Sequence, residues 1–530
     1  MGKPWSKTVP EGPWDVIVIG SGMGGMTAAA LLARLGRRVL VLEHHYVPGG
    51  YTHMFKRPGF RWDVGVHAVG EVTTHSLPGR VLQALTDGQL EWASLGERYE
   101  EFEFPDGFRF AFPDHPSKFR EALLDAFPEE GEAIDGYFRL VREVARSMRS
   151  FYLARLTPSG PLARLADGLL AAKAQRFLGQ RTADVIAELT DDPRLRTLFT
   201  AQWGYYGATP SRSSFAMQAL VVKHFSHGAY YPVGGASEIA RTLLQTVADA
   251  GGWTAIRSGV AELLVEDGRC AGVRLEDGRE VRAPKVLSAI GVSSTVERLL
   301  PEALRGEGWT REVEGLEAAP CHVCLYLGFE GDIRSAGAGP ANQWFFNTWD
   351  MEDDVWDVSP ERGTFPDAPV LYTSYPSLKD PAHDPGPKQR HTGEVVTFVP
   401  WAPFEAHLDE PWKKRSEAYD RFKERLTASL LEQYLRHRPA LRELIVHAEL
   451  STPATTDHFV RPRAGSIYGL APTPERFANP HLRPRSPLPG LTFGGADVVG
   501  VGVIGAMMGG LLGAVATEPM DAARWLRGVW

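Results

Sequence analysis

Asp15-Val16-Ile17-Val18-Ile19-Gly20-Ser21-Gly22-Met23-Gly24-Gly25 decides how this chain folds. Val16 to Ile19 is a short apolar run closed by glycine, the pattern of a strand buried on both faces of a parallel sheet. Gly20, Gly22 and Gly25 follow at the G-x-G-x-x-G spacing. The first permits a tight turn, the second lets a pyrophosphate approach the backbone, and the third lets a helix pack close to the strand. Residues 26–35 read as that helix, supported by Ala28, Ala29, Ala30 and Ala33 and ended by Gly36. Its first-turn N–H groups would face the pyrophosphate. Residues 39–42 form a second strand, and Glu43 closes it where a carboxylate can accept both ribose hydroxyls. Strand, turn, helix, strand and acid in this order predict a Rossmann-type α/β dinucleotide unit. Its expected contacts are Gly20, Ser21, Gly22, Met23, Gly24, Gly25, Met26, Glu43 and His44.

The next segment bears on which dinucleotide is bound. His45-Tyr46-Val47-Pro48 leads to Gly49-Gly50-Tyr51-Thr52, and Phe60-Arg61-Trp62 leads to Asp63-Val64-Gly65-Val66-His67. An NAD enzyme would continue with another strand–helix repeat. A glycine pair followed by a β excursion instead resembles the FAD-binding start of the phytoene desaturase and amine oxidase superfamily. That resemblance implies that Gly49, Gly50, Tyr51 and Thr52 cover the extended cofactor. It also implies that Val64, Gly65, Val66 and His67 lie near the flavin ring. It narrows at residues 202–218 and 228–240, where Pro232-Val233-Gly234-Gly235 precedes a helix. Read with Gly65-Val66-His67, these blocks resemble the retinol saturase branch, relatives of carotenoid isomerases. In the superfamily a backbone at the position of Val260 meets the adenine.

Gly500-Val501-Gly502-Val503-Ile504-Gly505 repeats the glycine spacing, but no strand and acid follow, so a second nucleotide site is not expected. The resemblance implies that this piece returns to the FAD. Asp497 would hold the ribityl or pyrophosphate region, and a helix starting at Val503 and Ile504 would aim its N-terminus at the flavin, where a positive dipole favours the anionic reduced form.

At 530 residues, two domains sharing an interface are expected. Residues 13–75, 228–298 and 484–527 make the FAD-binding domain. Residues 76–227 and 299–483 make a mixed α+β substrate-binding domain with a helical lid, inserted discontinuously. Within the first, residues 253–282 read as a β meander turning at Asp267-Gly268 and Asp277-Gly278. Within the second, residues 116–127, 132–149 and 412–437 read as helices, and 321–329, 370–375 and 394–399 as strands of an antiparallel sheet.

The net charge of −8 argues against a nucleic-acid surface. Three cysteines cannot make a disulfide framework, so a reducing, cytoplasmic setting fits. Cys321-His322-Val323-Cys324 has the CxxC spacing but lies in an apolar run without a second pair, which favours packing over metal or redox chemistry. Residues 1–13 lack the apolar core of a signal peptide and read as a disordered lead-in. Residues 498–516 are apolar enough to suggest a membrane span, but six glycines interrupt them, and a buried helix is the better reading. Residues 151–176 mix Leu156, Leu162, Leu165, Leu169 and Leu170 with Arg155, Arg164, Lys173 and Arg176. That is either a face touching a membrane surface or a helix packed on the lid of a substrate tunnel.

The resemblance implies flavin-dependent redox or isomerisation chemistry on a long apolar polyene, held in an aromatic and aliphatic tunnel. Saturation would join a hydride to one carbon and a proton to its neighbour. No separate NAD(P) domain is evident, so the electron donor is diffusible or a partner protein. His67 heads the acid candidates, its other role being to orient the flavin. Tyr205 is a second candidate, or a tunnel wall with Tyr206. His224 reads as a structural hydrogen-bonder. No metal site is expected. Saturation or desaturation, double-bond isomerisation, and a flavin-bearing lipid carrier without turnover remain the three readings.

Overall fold

The computed structural model describes residues 2–306 and 308–529. Six strands form a wholly parallel sheet in the order Trp5–Ser6, Trp253–Ala255, Val39–Leu42, Val16–Ile19, Lys285–Ser288 and Leu491–Phe493. Alternation along the two central strands explains why both are apolar throughout. Val16, Val18, Val39 and Val41 enter a core shared with five helices. Ile17, Ile19, Leu40 and Leu42 enter another, shared with Leu263, Val273 and Leu275 of a β meander. A sheet covered on both faces has no solvent side to be polar on.

The helix Met23–Arg34 packs on the helix Gly502–Thr517. Glycine sets their separation: a Cβ on Gly510 would stand 2.0 Å from the Gly24 carbonyl oxygen. The stretch that resembled a membrane span is thus a helix inside this layer. No described helix is long and apolar enough to cross a membrane.

A second sheet has seven strands in the order Ile445–Ser451, Cys321–Glu330, Arg390–Val399, Val370–Ser374, Asn342–Phe346, Arg98–Glu103 and Arg109–Pro113. It is antiparallel except where Asn342–Phe346 runs parallel to Arg98–Glu103. The hairpin Met54–Arg57 and Phe60–Asp63 docks on it, with Trp62 Nε1 donating to the Leu327 carbonyl at 2.9 Å. That contact brings the end of the hairpin, Asp63, and the following His67 against the inner strands. The helices Gly131–Arg155 and Phe215–His224 extend the cover on that face, and the helix Glu417–His437 packs on the opposite one.

Four sequence expectations change. The lead-in is ordered at Trp5–Ser6, which adds the outer strand beside Trp253–Ala255; Met1 lies outside the described residues. Trp253–Ala255 belongs to the parallel sheet, so the meander is confined to Val260–Glu266, Arg269–Leu275 and Glu280–Arg282. Arg257, at φ +53°, breaks the chain between the two. The first helix starts at Met23, because the glycine turn is itself its first turn. Arg155 does not join a charged outer face: it is 2% exposed and donates to the carbonyls of Phe477 at 2.7 Å and Asn479 at 3.0 Å.

Candidate active site

A cavity of about 890 Å³ is walled by both sheets and their covering helices. One end is built from glycine. Gly20, Gly22, Met23 and Gly24 line it beside Gly502, Val503 and Ile504. The two glycine repeats fold alike. A Cβ on Gly22 or Gly502 would meet nothing within 4 Å, whereas one on Gly25 would stand 2.0 Å from Gly20 O and one on Gly505 2.3 Å from Gly500 O. In each repeat the middle glycine faces open space and the last one lets its helix close on the turn. Two helix N-termini, capped at Gly22 and Val501, therefore meet one cavity. Unpaired N–H groups and positive dipole ends suit an anion such as a pyrophosphate.

Glu43, 8% exposed, lies on the same wall. Its Oε2 accepts from the Ser21 N–H at 2.8 Å and hydroxyl at 2.5 Å, and its Oε1 from the His45 N–H at 2.7 Å. The carboxylate thus braces the turn as well as facing the cavity. His44, Gly50, Tyr51, Thr52 and Val260 continue this wall. Asp497 also lines it, with Oδ2 accepting from the Val292 N–H at 2.8 Å and Oδ1 from that of Leu470 at 3.4 Å.

Five of the expected cofactor contacts stand off the wall. Ser21 is turned inward by Glu43, and Gly25 packs on the Gly20 carbonyl. Met26 and Val66 are core residues at 0% and 1% exposure. Gly49 donates its N–H to the Ser21 carbonyl and hydroxyl. They shape the site from behind.

The other end is aromatic and aliphatic. Tyr205, Trp344, Tyr372 and Phe398 wall it, with Met148, Leu220 and Val221 from the helices. Val64, Gly65 and His67 lie on the cavity too. The His67 ring packs edge-on to Tyr372 with centroids 5.2 Å apart, and its Nδ1 is 2.8 Å from Glu394 Oε2. Burial and the nearby Lys379 ammonium push the imidazole down to about 3, so His67 is neutral. The Tyr205 hydroxyl donates to Glu100 Oε1 and accepts from Asn342 Nδ2 at 3.0 Å. Its proton therefore points to a carboxyl rather than into the cavity. Tyr206 lies off the cavity, donating to Gln218 Oε1 at 2.8 Å, and His224 Nε2 accepts from the Gly70 N–H at 2.8 Å.

Several site residues carried no motif. Glu394, Lys379 and Glu100 stand buried behind the aromatic wall, with Asp63 of the Asp63–His67 stretch beside them. Burial pushes Asp63 and Glu100 each up to about 7 and brings Lys379 down to about 7. For Glu394 the one local signal was a carboxylate entering the apolar stretch Gly393-Glu394-Val395-Val396; Glu100, among Arg98, Glu101 and Glu103, and Lys379, beside Asp380, gave none. His322 was noticed only as part of the CxxC spacing, yet it lines the cavity. The two cysteines beside it enter different cores on opposite faces of the strand. Among the described residues, no group of three or more His, Cys, Asp or Glu could hold a metal.

Comparison with known proteins agrees with this architecture. The family described as flavin-containing amine oxidoreductase matches residues 23–517. The all-trans-retinol 13,14-reductase of Danio rerio is 32% identical over 526 residues, spanning 95% of this chain and 85% of that protein. The chloroplastic prolycopene isomerase of Daucus carota is 25% identical, spanning 87% of this chain and 72% of that protein. The fold is shared with cyclohexylamine oxidase from Brevibacterium oxydans IH-35A, at a TM-score of 0.59 and 17% identity, covering 98% and 100% of the two chains. The chain thus belongs to the flavin-containing amine oxidoreductase family, as an FAD-dependent enzyme of the branch that includes the all-trans-retinol 13,14-reductases.

Proposed function

We propose that this protein saturates or desaturates a carbon–carbon double bond in a long apolar polyene lipid, retinoid or carotenoid-like. The observation that carries the reading is the two-ended cavity, with glycine turns at one end and aromatic and aliphatic walls at the other. Gly22, Gly24, Glu43, Gly50, Gly502 and Val503 would hold FAD at the first end, and Val260 would meet its adenine. The fit rests on the open space over Gly22 and Gly502 and on the two helix N-termini. When bound, FAD supplies two-electron exchange with the carbon–carbon bond. The apolar wall excludes water from the reacting carbons, and His67 presents its ring where cavity and buried ionisable groups meet. Of the two acid candidates, His67 has the better access, since Tyr205 is committed to Glu100. The FAD-binding segments are 13–75, 228–298 and 484–527, joined by the outer strand Trp5–Ser6 and by Val81, Leu82 and Leu85, which pack in the same core; most of 76–227 and 299–483 makes the substrate-binding part. The electron donor is diffusible or a partner protein.

The same fold supports isomerisation, in which reduced flavin is recovered unchanged, and the similarity to a prolycopene isomerase keeps that as the second reading. Incubating the protein with reduced flavin and candidate polyenes separates them. A product changed by two hydrogens supports saturation or desaturation. Unchanged mass with a new isomer supports isomerisation, and binding without product leaves a lipid carrier.

An apolar substrate has to leave a bilayer, and the helices 151–176 offer a contact for that step. Leu153, Leu165, Leu169 and Leu170 are 56–73% exposed, with exposed Lys173 and Arg176 beyond them. Met148, Arg149 and Tyr152, on the same helix as Leu153, line the cavity. Apolar side chains flanked by cations suit an anionic membrane surface. Leu165→Ser with Leu169→Ser is expected to weaken sedimentation with anionic liposomes by about tenfold while FAD content stays unchanged; unaltered sedimentation would remove the membrane contact.

A further inference from the structure

Glu394 has no part in the chemistry described so far. It is 1% exposed on the strand Arg390–Val399, and its Oε2 touches His67 Nδ1 at 2.8 Å, outside hydrogen-bond alignment. No other side chain pairs with either Glu394 oxygen among the described residues. Nδ1 is buried, while 15% of the ring is exposed and lines the cavity, which leaves Nε2 as the nitrogen on the substrate side.

A neutral imidazole is a poor acid by itself. If His67 gave up Nε2–H alone, an imidazolate would remain in an apolar wall, at a desolvation cost of several kcal/mol. Proton delivery from this ring therefore needs a second acid that refills Nδ1 in the same step. We propose that Glu394 is the proton store for His67, positioned to refill Nδ1 as Nε2–H is given to a substrate carbon in the cavity. The Nε2–H and Glu394 O–H bonds break, and C–H and Nδ1–H bonds form. The ring ends neutral in its other tautomer, and one negative charge is left on Glu394. The electron pair of the new C–H bond is the π pair of the double bond. The other carbon receives hydrogen with two electrons from the reduced flavin that the proposed function requires.

The surroundings fit both states of Glu394. Burial holds its carboxyl well above the usual carboxylate range, so it carries a proton before the step. After the step the new carboxylate draws Lys379, brought to about 7 by burial, towards its charged form, and that charge offsets the one on Glu394. Lys379 Nζ is fixed by donating to the His67 carbonyl and Ser374 Oγ, each at 2.7 Å, and to Asn342 Oδ1. Tyr326 stands directly across the strand pair from Glu394, with Cys324 on the same strand. Tyr372 and Tyr231 face it from their own strands, and Asp63 from the docked hairpin. His322 faces the ring of His67. Among the described residues, Lys379 is the single cation in this shell.

The relay rests on the double-bond chemistry proposed above, so one arm of its test needs no turnover. Infrared difference spectra of FAD-loaded wild type against Glu394→Gln at neutral pH are expected to lose a protonated-carboxyl C=O band. Loss of a carboxylate band instead would overturn the proposal. In turnover, Glu394→Gln is expected to lower kcat about 100-fold with KM and FAD content unchanged, because an amide can donate to Nδ1 but has no proton to pass on. Glu394→Asp is expected to recover part of the rate. A Glu394→Gln enzyme with wild-type kcat removes the relay and leaves the double-bond reading standing. A wild-type protein that converts no polyene removes the reading itself.

Discussion

Asp63 shows how single residues are held at this site. Its carboxyl accepts from the Tyr231 hydroxyl and from the Ala236 N–H at 3.1 Å, yet burial raises it from 3.8 to about 7. The folded state therefore binds the Asp63 proton more tightly than the unfolded state does. The stability linked to it is full below 3.8 and is lost as pH rises towards 7. At about 1.4 kcal/mol per pKa unit, the loss reaches roughly 4 kcal/mol for this fully buried group. His67, pushed the other way, masks part of this in the wild type. Asp63→Asn removes the Asp63 contribution alone, so the Tm difference, variant minus wild type, is expected to grow with pH across that window. A difference independent of pH would show that Asp63 does not titrate there. Glu43 is the opposite case, an acid satisfied by three donors. Glu43→Ala is expected to cost about 2 kcal/mol by denaturant unfolding, since it strands the N–H groups of Ser21 and His45, and to weaken FAD retention. Glu43 was legible because a motif places it. Glu394 and Lys379 were not, because their meaning comes from neighbours more than 300 residues away in sequence, such as His67.

At the level of elements, the glycine turns and their helices frame one end of the cavity, where FAD is proposed to bind. Gly510→Ala would drive a methyl against the Gly24 carbonyl and part the two helices that frame it. The expected outcome is a loss of about 2 kcal/mol in stability, typical of overpacking, together with reduced flavin absorbance of the purified protein. Gly22→Ala is the contrasting variant. Its Cβ meets no protein atom, so stability of the FAD-free protein should change little while FAD affinity falls; unchanged affinity would place the cofactor elsewhere. Most of these elements could be read in the chain, since Val16 to Ile19 and the glycine spacing depend on local sequence. The assignment of Trp253–Ala255 to the meander failed for a physical reason. A three-residue run such as Trp253-Thr254-Ala255 before a hairpin looks the same whether it pairs in parallel with Val39–Leu42 or antiparallel with the next strand. The place of Arg155 was illegible for a related reason: helix periodicity cannot say which exposed-looking turn will be covered by Phe477 and Asn479.

For the whole molecule, a cavity walled by both sheets couples cofactor binding to global stability. FAD binds only the folded state, so stability should rise by RT ln(1 + [FAD]/Kd), about 2.7 kcal/mol at a hundredfold excess over Kd. Stripping the flavin and titrating it back should move Tm accordingly, and an invariant Tm would mean that FAD does not bridge the two layers. The outer strand Trp5–Ser6 has a practical consequence. Ser6 accepts from the Ile256 N–H at 2.9 Å, and the Thr8 carbonyl accepts from Trp253 Nε1 at 3.1 Å. Cutting residues 2–8 from an expression clone would bare the edge of Trp253–Ala255, whose free main-chain groups can then pair with another molecule. Trimming that looks harmless on the sequence should therefore lower soluble yield.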